Sequence, residues 1–508
     1  MFIFDRIYFY MLRIKTFLKS STFYLLLIII IATFLRFYNF GNVPPGLYPD
    51  EAMNGNNALE SLSTGHFKVF YPENNGREGL FINIQAFFIW LFKVTEPWVL
   101  HIPSALFGIF TVLGIYFLAK ELFKSVSIGL LSSFFAATSF WLINFSRIGF
   151  RAIMAPFFLV WGLYFLIKAF RNSKFLVLNS ALAGIFYGLG FHSYIAYRVT
   201  PLLILIVLIY FLIRSIKEKW QKKFWLITLL FMVVTIVVFL PLGMYFLKNP
   251  QDFLGRTSQI SVFSSPQPLK TLLLNTITTF GMFNVAGDFN WRHNYAGRPE
   301  LFWPVGILFI IGIILGLISI LKRSNKNRLP ALTIFTWLIV TSLPVVISNE
   351  GLPHALRAIL MAPATFILAG LGGVWLYEFI KSKIITHNLK ALNFFTGLFL
   401  IILICEAYLT YFVLWAKNPN VAGAFNQDST RISHELKATC GKNCAALPKY
   451  VIVETGGTDV RGIPMPAQTI MFLTDTFTPE KQNAKNLHYV LPNQKDQIPQ
   501  DALIYFIK

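Results

Sequence analysis

The sequence predicts an α-helical polytopic membrane protein with a small α/β domain at its C-terminal end. Three observations support this prediction. The chain of 508 residues is 55% hydrophobic and only 13% charged, which is too apolar for a set of ordinary soluble domains. Its apolar residues gather in runs of bilayer-spanning length, and the composition changes after residue 412. We therefore expect a transmembrane domain at residues 1–412 and an α/β domain at 413–508.

Eleven apolar runs are long enough to cross a bilayer, which takes roughly 17 to 25 residues. The first run, "STFYLLLIIIIATFLRFYNF", exceeds the core of a signal peptide and no small-residue cleavage site follows it, so we expect a retained helix. The eleven runs lie near 22–40, 99–119, 126–145, 152–170, 176–192, 199–214, 224–247, 301–321, 330–348, 356–380 and 391–412.

The shorter apolar run at 79–95 decides the topology, because it could either cross the bilayer or lie at its surface. If it does not cross, all clusters of Lys and Arg between the spans fall on the side of the N-terminus, as the positive-inside rule expects for the cytoplasm. If it crosses, the clusters at 214–223, 322–328 and 381–390 lie outside. We therefore predict an interfacial helix and place the C-terminal domain outside the cytoplasm.

The formal net charge of +21 does not indicate a nucleic-acid-binding protein, because the basic residues form short clusters between apolar runs. The three cysteines are too few for a disulfide framework, and the spacing of Cys440 and Cys444 permits either a disulfide or two free thiols. The sequence contains no Walker loop, GxGxxG or paired CxxC motif, so nucleotide and structural zinc sites have no support.

An acidic pair, Asp50 and Glu51, follows the first span in "GLYPDEAMNGNN". The preceding "PPG" ends the helix and turns the chain at the membrane surface. One carboxylate of such a pair can face a substrate while its neighbour binds a metal ion or an arginine. The alternative is that both are solvated loop acids.

Arginines stand at the external ends of two further spans. "SRIGFRAIMAP" contains Arg147 and Arg151, and "YIAYRVTP" contains Tyr194 and Arg198. The positive-inside rule does not explain cations on this side, whereas a phosphate ligand would, because a guanidinium fork fits phosphate oxygens. Snorkelling of these side chains to native lipid headgroups is the alternative.

The loop "NEGLPHALRAI" adds Glu350, His354 and Arg357, of which the last two share one helical face. We expect His354 and Arg357 to contribute to the same phosphate site. A histidine is also often a structural hydrogen-bonding group, and this alternative stays open.

The loop "GDFNWRHNYAGRPEL" is polar and aromatic, with Asp288, Trp291 and His293. Rings stack on the apolar face of a sugar while polar groups bind its hydroxyls, so we expect sugar or acceptor contacts here and at Tyr194 and Glu350. The same loop could instead be a structural plug.

The tail after residue 413 contains a predicted helix at 427–439 and four strand-like runs, "YVIVE", "TIMFLT", "LHYVL" and "ALIYFIK". This pattern predicts a small α/β domain.

The arrangement of these features resembles the GT-C membrane glycosyltransferases, and more closely the family 39 type, which includes protein O-mannosyltransferases and the lipid A aminoarabinose transferase. The resemblance rests on "GLYPDEA", "SRIGFRAIMAP", "HIPSALFGIFTVLGIYFLAKELF" and "PHALRAI", together with the predicted interfacial helix and spans, and covers residues 20 to about 412. It implies an enzyme that transfers a sugar from a polyprenyl-phosphate donor to a hydroxyl of a protein, lipid or glycan acceptor.

The resemblance also implies roles for single residues. Asp50 corresponds to the catalytic base of the family and Glu51 to its supporting neighbour, while Arg77 in "GREGL" is the counterpart of a phosphate-binding residue. It implies no certain cofactor, and a divalent metal with Glu51 among its ligands stays open. A transporter or flippase of polyprenyl-linked glycans or lipids is the competing prediction, although we find no clear internal repeat or mid-membrane ionisable residues.

Overall fold

The computed structural model describes residues 20–172, 174–253, 262–322, 327–349, 351–383, 389–440 and 447–507. Apolar helices form a bundle, and a small mixed domain covers one face of it. In chain order the bundle contains α1 (Ser21–Phe37), α2 (Pro49–Thr64), the short strands β1 (Phe70–Tyr71) and β2 (Arg77–Glu78), α3 (Gly79–Phe92), α4 (Pro97–Phe123), α5 (Val126–Thr138), α6 (Phe140–Phe145), α7 (Met154–Arg171), α8 (Leu176–Gly190), α9 (Thr200–Lys217), α10 (Gln221–Lys248), α11 (Pro268–Gly281), α12 (Trp303–Leu321), α13 (Arg328–Val346), α14 (Ala362–Lys383) and α15 (Leu389–Tyr408).

All eleven predicted spans lie on helices, which confirms the predicted fold class. Among the described residues, eight helices are long and apolar enough to cross a membrane, and four apolar helices, α1, α3, α5 and α8, are shorter. The run predicted as one span at 126–145 is divided at Ser139, whose backbone is extended at φ −70° and ψ 128°. Before the break, the Thr138 hydroxyl donates to the Phe134 carbonyl at 3.0 Å, a side-chain bond that competes with the helical ladder.

Helices α12 and α14 approach each other closely at two glycines. A Cβ on Gly312 would lie 2.0 Å from the carbonyl oxygen of Leu368, and one on Gly372 would lie 2.0 Å from that of Leu308. Small residues at such crossings let helix backbones touch, which is how helices associate when lipid provides no hydrophobic driving force.

Helix α3 begins and ends on the same face of the bundle. Before its N-terminal end, Glu73 contacts Arg461 of the C-terminal domain at 3.0 Å. Beyond its C-terminal end, the Thr95 hydroxyl donates to the carbonyl of Leu473 in that domain at 2.9 Å, and Glu96 binds Lys437 at 2.7 Å. Residues beyond both ends of α3 thus contact one domain, which is the arrangement that the predicted interfacial helix requires.

The C-terminal domain has a three-stranded parallel sheet in the order β6-β3-β7. The prediction of a strand at 469–474 is wrong, because this run forms a helix whose residues are all buried. An apolar β-branched run favours a strand by propensity, and burial on every side overrides that preference. The elements are α16 (Pro419–Ala424), α17 (Gln427–Cys440), β3 (Lys449–Val453), β4 (Asp459–Val460), β5 (Ile463–Pro464), α18 (Gln468–Thr474), α19 (Pro479–Lys485), β6 (Leu487–Val490) and β7 (Leu503–Ile507).

The boundary at residue 412/413 stays a prediction, because the π-helical stretch Leu409–Trp415 continues α15 across it. Cys444 and the side chain of Cys440 lie outside the described residues, so their pairing also stays open. The loops predicted to be external nevertheless meet on one face of the bundle, where they enclose a cavity with the C-terminal domain.

Candidate active site

A cavity of about 820 Å³ lies between the membrane domain and the C-terminal domain. Four of the predicted site residues line it, namely Asp50, Arg77, Arg151 and Tyr194. The other residues at the cavity surface include Tyr48, Pro49, Asn54, Asn74, Asn75, Phe150, Ala152, Leu356, Pro419, Ala422, Gly423, Asn426, Gln427, Asp428, Ser429, Thr455, Gly456, Gly457, Thr458, Met465, Pro466 and Ile507.

Asp50 stands in the first turn of α2, directly after Pro49, where the helix macrodipole favours a carboxylate. Its side chain is 41% exposed to the cavity. The Oδ1 atom accepts hydrogen bonds from the Asn74 amide and from Arg77 Nη2, the latter at 3.4 Å. Within the described part of the chain, Oδ2 has no protein donor, so this oxygen is available to a ligand.

The loop that carries Asn74 and Arg77 is a tight turn. Three successive residues, Asn74, Asn75 and Gly76, have φ values of 52°, 63° and 78°. Asparagine and glycine tolerate this left-handed conformation best, which explains the "NNG" sequence. Arg77 is almost wholly buried and its second branch donates to Asn54 Oδ1 at 2.9 Å, so the turn holds a fixed cation beside Asp50.

Glu51 points away from the cavity and is fully buried. Its Oε2 atom accepts a hydrogen bond from the Gly149 amide at 2.5 Å and lies 2.8 Å from His101 Nε2. These contacts tie the first turn of α2 to α4 and to the loop before α7. Glu51 therefore has a supporting geometry, and it belongs to no group of metal ligands among the described residues.

Arg151 and Arg198 share the buried carboxylate of Glu78. Arg151 Nε donates to Glu78 Oε2 at 2.9 Å, and Arg198 Nη2 lies 3.7 Å from Oε1. Arg151 also faces the ring of Tyr194, 5.6 Å from its centroid. Arg198 does not line the cavity; it donates to the Phe253 carbonyl at 2.8 Å and lies over that residue's ring.

The structure does not bring Arg147 to the cavity. Its side chain is fully buried, and its guanidinium donates to the carbonyls of Arg36 and Val43, both at 2.8 Å. These acceptors lie at the C-terminal end of α1 and just beyond it, where helix carbonyls lack intrahelical partners. Arg147 therefore joins α1 to the loop before α7, and a phosphate would have to displace these bonds to reach it.

Asp288, His293 and His354 form a second cluster that does not line the cavity. His293 Nδ1 lies 2.9 Å from Asp288 Oδ2, which also accepts from the Ala355 amide at 2.8 Å, and the two imidazoles stack with centroids 4.9 Å apart. The three side chains offer ligand atoms within 4.8 Å of one another, and one carboxylate with two imidazoles suits a divalent ion such as zinc. The three side chains thus fit a metal ion. They are equally consistent with a purely structural role, because Asp288 already forms hydrogen bonds with His293 and with the Ala355 amide.

Two further predicted residues are close in sequence to members of this cluster, since Arg357 follows His354 by three positions and Trp291 precedes His293 by two. Arg357 is largely buried and donates to the Ser348 hydroxyl, and its neighbour Leu356 reaches the cavity. Trp291 packs against Tyr295 and does not reach the cavity. Glu350 lies outside the described residues.

One cation that the sequence analysis did not assign to the phosphate site is Arg292. Its guanidinium lies 3.8 Å above the ring of Tyr48, the residue that precedes α2 and lines the cavity. Burial is the main cause that raises the pKa of the Tyr48 phenol, and the nearby Asp50 adds to it. Unlike Arg77, Arg151 and Arg198, Arg292 has no carboxylate partner among the described residues. The sequence feature that could have pointed to Arg292 is its position in the polar loop 287–301.

Comparison with protein families gives one match. Residues 80–245 match the family model described as dolichyl-phosphate-mannose-protein mannosyltransferase. The match covers less than half of the chain and begins after Asp50 and Arg77. No curated protein sequence matches the chain closely enough to count as a relative.

Two solved structures are similar over most of this chain. AglB, the archaeal oligosaccharyltransferase from Archaeoglobus fulgidus, in complex with an inhibitory peptide and a dolichol-phosphate, matches at 15% identity and a TM-score of 0.55, covering 90% of this chain and 64% of AglB. ArnT from Cupriavidus metallidurans bound to undecaprenyl phosphate matches at 13% identity and a TM-score of 0.54, covering 96% of this chain and 90% of ArnT.

The chain therefore spans about two thirds of the length of the archaeal enzyme and corresponds to nearly all of ArnT. Another structure of the archaeal enzyme, in complex with Zn and sulfate, matches at 13% identity and a TM-score of 0.55, covering 92% of this chain and 62% of that one. Together the family model and the folds confirm the predicted resemblance to GT-C membrane glycosyltransferases, and the chain has the GT-C fold.

Proposed function

We propose that this protein is an integral-membrane glycosyltransferase that moves a sugar from a polyprenyl-phosphate donor to an acceptor hydroxyl, with Asp50 as the general base. The observation that carries the proposal is the arrangement at Asp50. One carboxylate oxygen is held by Asn74 and Arg77, while the other has no protein donor among the described residues and faces the cavity. A base fixed in this way can accept a proton from a bound hydroxyl.

The reaction needs few groups. As the acceptor oxygen attacks the anomeric carbon, its proton passes to Asp50, and the bond between that carbon and the phosphate oxygen breaks. The leaving group departs as a phosphate anion, so no acid has to protonate it, in contrast to glycoside hydrolysis. The base and nearby cations are the groups that this chemistry requires.

Glu51 acts as a positioning residue in this proposal. Its contacts with the Gly149 amide and with His101 fix the first turn of α2, and thereby the direction of Asp50. A buried carboxylate held at 2.5 and 2.8 Å is unsuited to exchange protons with a substrate in the cavity.

The donor phosphate binds, in this proposal, near the cations of the membrane domain. Arg77 and Arg151 reach the cavity directly, and Arg292 adds a charge that no described carboxylate neutralises. Arg198, His354 and Arg357, which do not line the cavity, remain candidates for a second layer of positive charge around the phosphate. We leave Arg147 out, because its N–H groups already donate to backbone carbonyls. The sugar then extends past Tyr194 towards Asp50.

The acceptor is a protein, lipid or glycan hydroxyl that enters beside the C-terminal domain. Asp288, Trp291 and His293 do not line the cavity, so we assign them a supporting role behind Tyr48 and Arg292. If a divalent ion binds, Asp288, His293 and His354 would hold it, and it would supply positive charge to this part of the site.

We place the cavity on the extracytoplasmic face of a multi-pass membrane protein, because the basic clusters favour a cytoplasmic location for the opposite loops. The family model and both structural neighbours are glycosyltransferases, and this supports an enzyme over a transporter or flippase.

The test is an assay of bond cleavage. Purified protein in lipid nanodiscs is incubated with polyprenyl-phosphate sugars and candidate acceptors, and the release of polyprenyl phosphate is measured by mass spectrometry. We expect release that depends on the protein and on an acceptor. Movement of intact donor across proteoliposomes without cleavage would contradict the proposal and support the transporter.

A further inference from the structure

The hairpin between β4 and β5 presents an unusual residue at its tip. Arg461 and Gly462 have φ values of 56° and 86°, the pattern of a two-residue turn of type I′. Such turns prefer Asn-Gly, because a long L-residue in the left-handed region carries a conformational cost. An arginine that is kept in this conformation indicates that its side chain makes a contact of its own.

The guanidinium of Arg461 bridges two carboxylates of the membrane domain. Nη1 and Nη2 bind the two oxygens of Glu60 at 2.8 and 2.9 Å, and Nη2 also binds Glu73 at 3.0 Å. The Phe477 ring supports the group from within the C-terminal domain, 4.6 Å from its carbon centre. This forked geometry is one that arginine can make and lysine cannot.

The two acids belong to the two segments that meet at Asp50. Glu60 lies on α2, the helix whose first turn contains Asp50, and Glu73 directly precedes Asn74 in the tight turn. Asn74 and Arg77 of that turn hold Asp50 Oδ1. Arg461 therefore joins, at a second point, the same two segments whose contact positions the base.

Other contacts show that the C-terminal domain supports this helix along its length. The Leu47 amide donates to the Thr430 hydroxyl at 3.1 Å, and the Thr469 hydroxyl donates to the Leu47 carbonyl at 2.9 Å. In the second turn of α2, Asn56 donates to Gln468 Oε1 at 2.9 Å. The segment with Asp50 is thus held between the bundle and the C-terminal domain.

We propose that Arg461 is a positioning residue for the reaction, through which the C-terminal domain keeps the Asn74–Arg77 turn against Asp50. This inference rests on the proposed function, because it assigns to the C-terminal domain a part in the catalytic geometry. The hydrogen bond from Arg461 lowers the pKa of Glu60, so the contact consists of ionised groups at neutral pH.

The test uses Arg461→Asn and Arg461→Lys in the full-length protein. Asparagine gives the Asn-Gly pair that the turn prefers, so the hairpin is retained while the fork is lost. We expect kcat to fall on the order of 10- to 100-fold with the donor KM within about threefold, because misplacement of the base affects the transition state more than binding. Lysine, which can still contact one acid, recovers part of the rate.

Lys481→Ala is the matched control, since it removes a cation of the same domain that pairs with Asp475 inside that domain. Amide hydrogen exchange of residues 70–78 provides a readout that needs no activity, and we expect faster exchange in Arg461→Asn than in the control. Equal exchange and equal kcat in the two variants would overturn the inference. If the unmodified protein cleaves no donor, the proposed function fails, and faster exchange in Arg461→Asn would then support only the structural part of the inference, that Arg461 holds the Asn74–Arg77 turn.

Discussion

The wall of the cavity that belongs to the membrane domain carries charges joined in ion pairs, whereas the opposite wall consists largely of amides, hydroxyls and backbone. On the first wall, Asp50 binds Arg77 and Glu78 binds Arg151. On the second, the surface is built from the stretch Thr455–Thr458 and from Asn426 and Gln427. Ion pairs fix a geometry that changes little with the ligand, while hydroxyls and amides can bind many neutral polar groups. Under the proposed function, we therefore assign donor chemistry to the first wall and acceptor choice to the second.

The largest effect should come from the charged wall. Asp50→Asn keeps the size of the side chain and removes the proton acceptor, so we expect kcat to fall roughly a hundredfold or more with donor binding little changed. The same substitution on the opposite wall, Asp428→Asn, serves as the control. Asp428 has a 90% exposed side chain paired with Arg431, and we expect donor cleavage to stay within about threefold. Comparable losses in both variants would remove the distinction between the walls.

A smaller loss is expected at Arg292. Its guanidinium lies beside Tyr48 without a carboxylate partner among the described residues, so Arg292→Ala removes a cation that a phosphate would use. We expect the donor KM to rise about 10- to 100-fold, corresponding to a charge-assisted hydrogen bond worth roughly 1.5 to 3 kcal/mol. Arg214→Ala, which removes an exposed arginine paired with Glu218, is the control. An unchanged donor KM would exclude Arg292 from the phosphate site.

The wall that belongs to the C-terminal domain can be tested by filling space. Gly456 lines the cavity, and a Cβ at this position would meet no heavy atom within 4 Å, so Gly456→Trp is the substitution chosen to fill cavity space. We expect the acceptor KM to rise about tenfold while donor KM stays within about threefold, because the substitution acts on one wall. Gly456→Ala should behave like the unmodified protein. If donor KM rises equally, the two substrates do not divide between the walls as proposed.

The smallest effect concerns stability and pH. Glu300 is buried behind the charged wall, where it accepts a hydrogen bond from the Asp288 amide at 3.1 Å, and burial raises its pKa well above 4.5. The folded state therefore binds a proton that the unfolded state releases, so stability is lost as pH rises above about 4.5, by up to about 1.4 kcal/mol per pH unit. Glu300→Gln imitates the neutral acid. We expect its Tm to exceed that of the unmodified protein at pH 8 and the gap to shrink at pH 5; a gap independent of pH would mean that Glu300 does not titrate.

The fold was predictable because hydrophobic length and charge asymmetry act over long stretches. All eleven predicted spans lie on helices, and the interfacial helix follows from the charge clusters. The strand predicted at 469–474 is wrong, because its neighbours in space, and not its own residues, decide its conformation.

The candidate site was predictable only in part. Asp50 could be found because an acidic pair follows the first span, and Arg77 because of the resemblance to the GT-C glycosyltransferases; both residues line the cavity. Arg147 and Arg151 are only four positions apart, and the sequence could not distinguish them. Arg151 reaches the cavity, whereas Arg147 donates to backbone carbonyls. Nor could the sequence identify Arg461, because its contact with Glu60 joins residues 401 positions apart.

The Arg-Gly turn has a consequence for protein engineering. A procedure that improves turn propensity alone would replace Arg461 by asparagine, since Asn-Gly is the favoured pair for a turn of type I′. The hairpin would gain stability by itself, and under the proposed role of Arg461 the enzyme would lose a contact that positions Asp50. Position 461 is therefore one where selection for a more stable protein and selection for a faster one are expected to choose different residues.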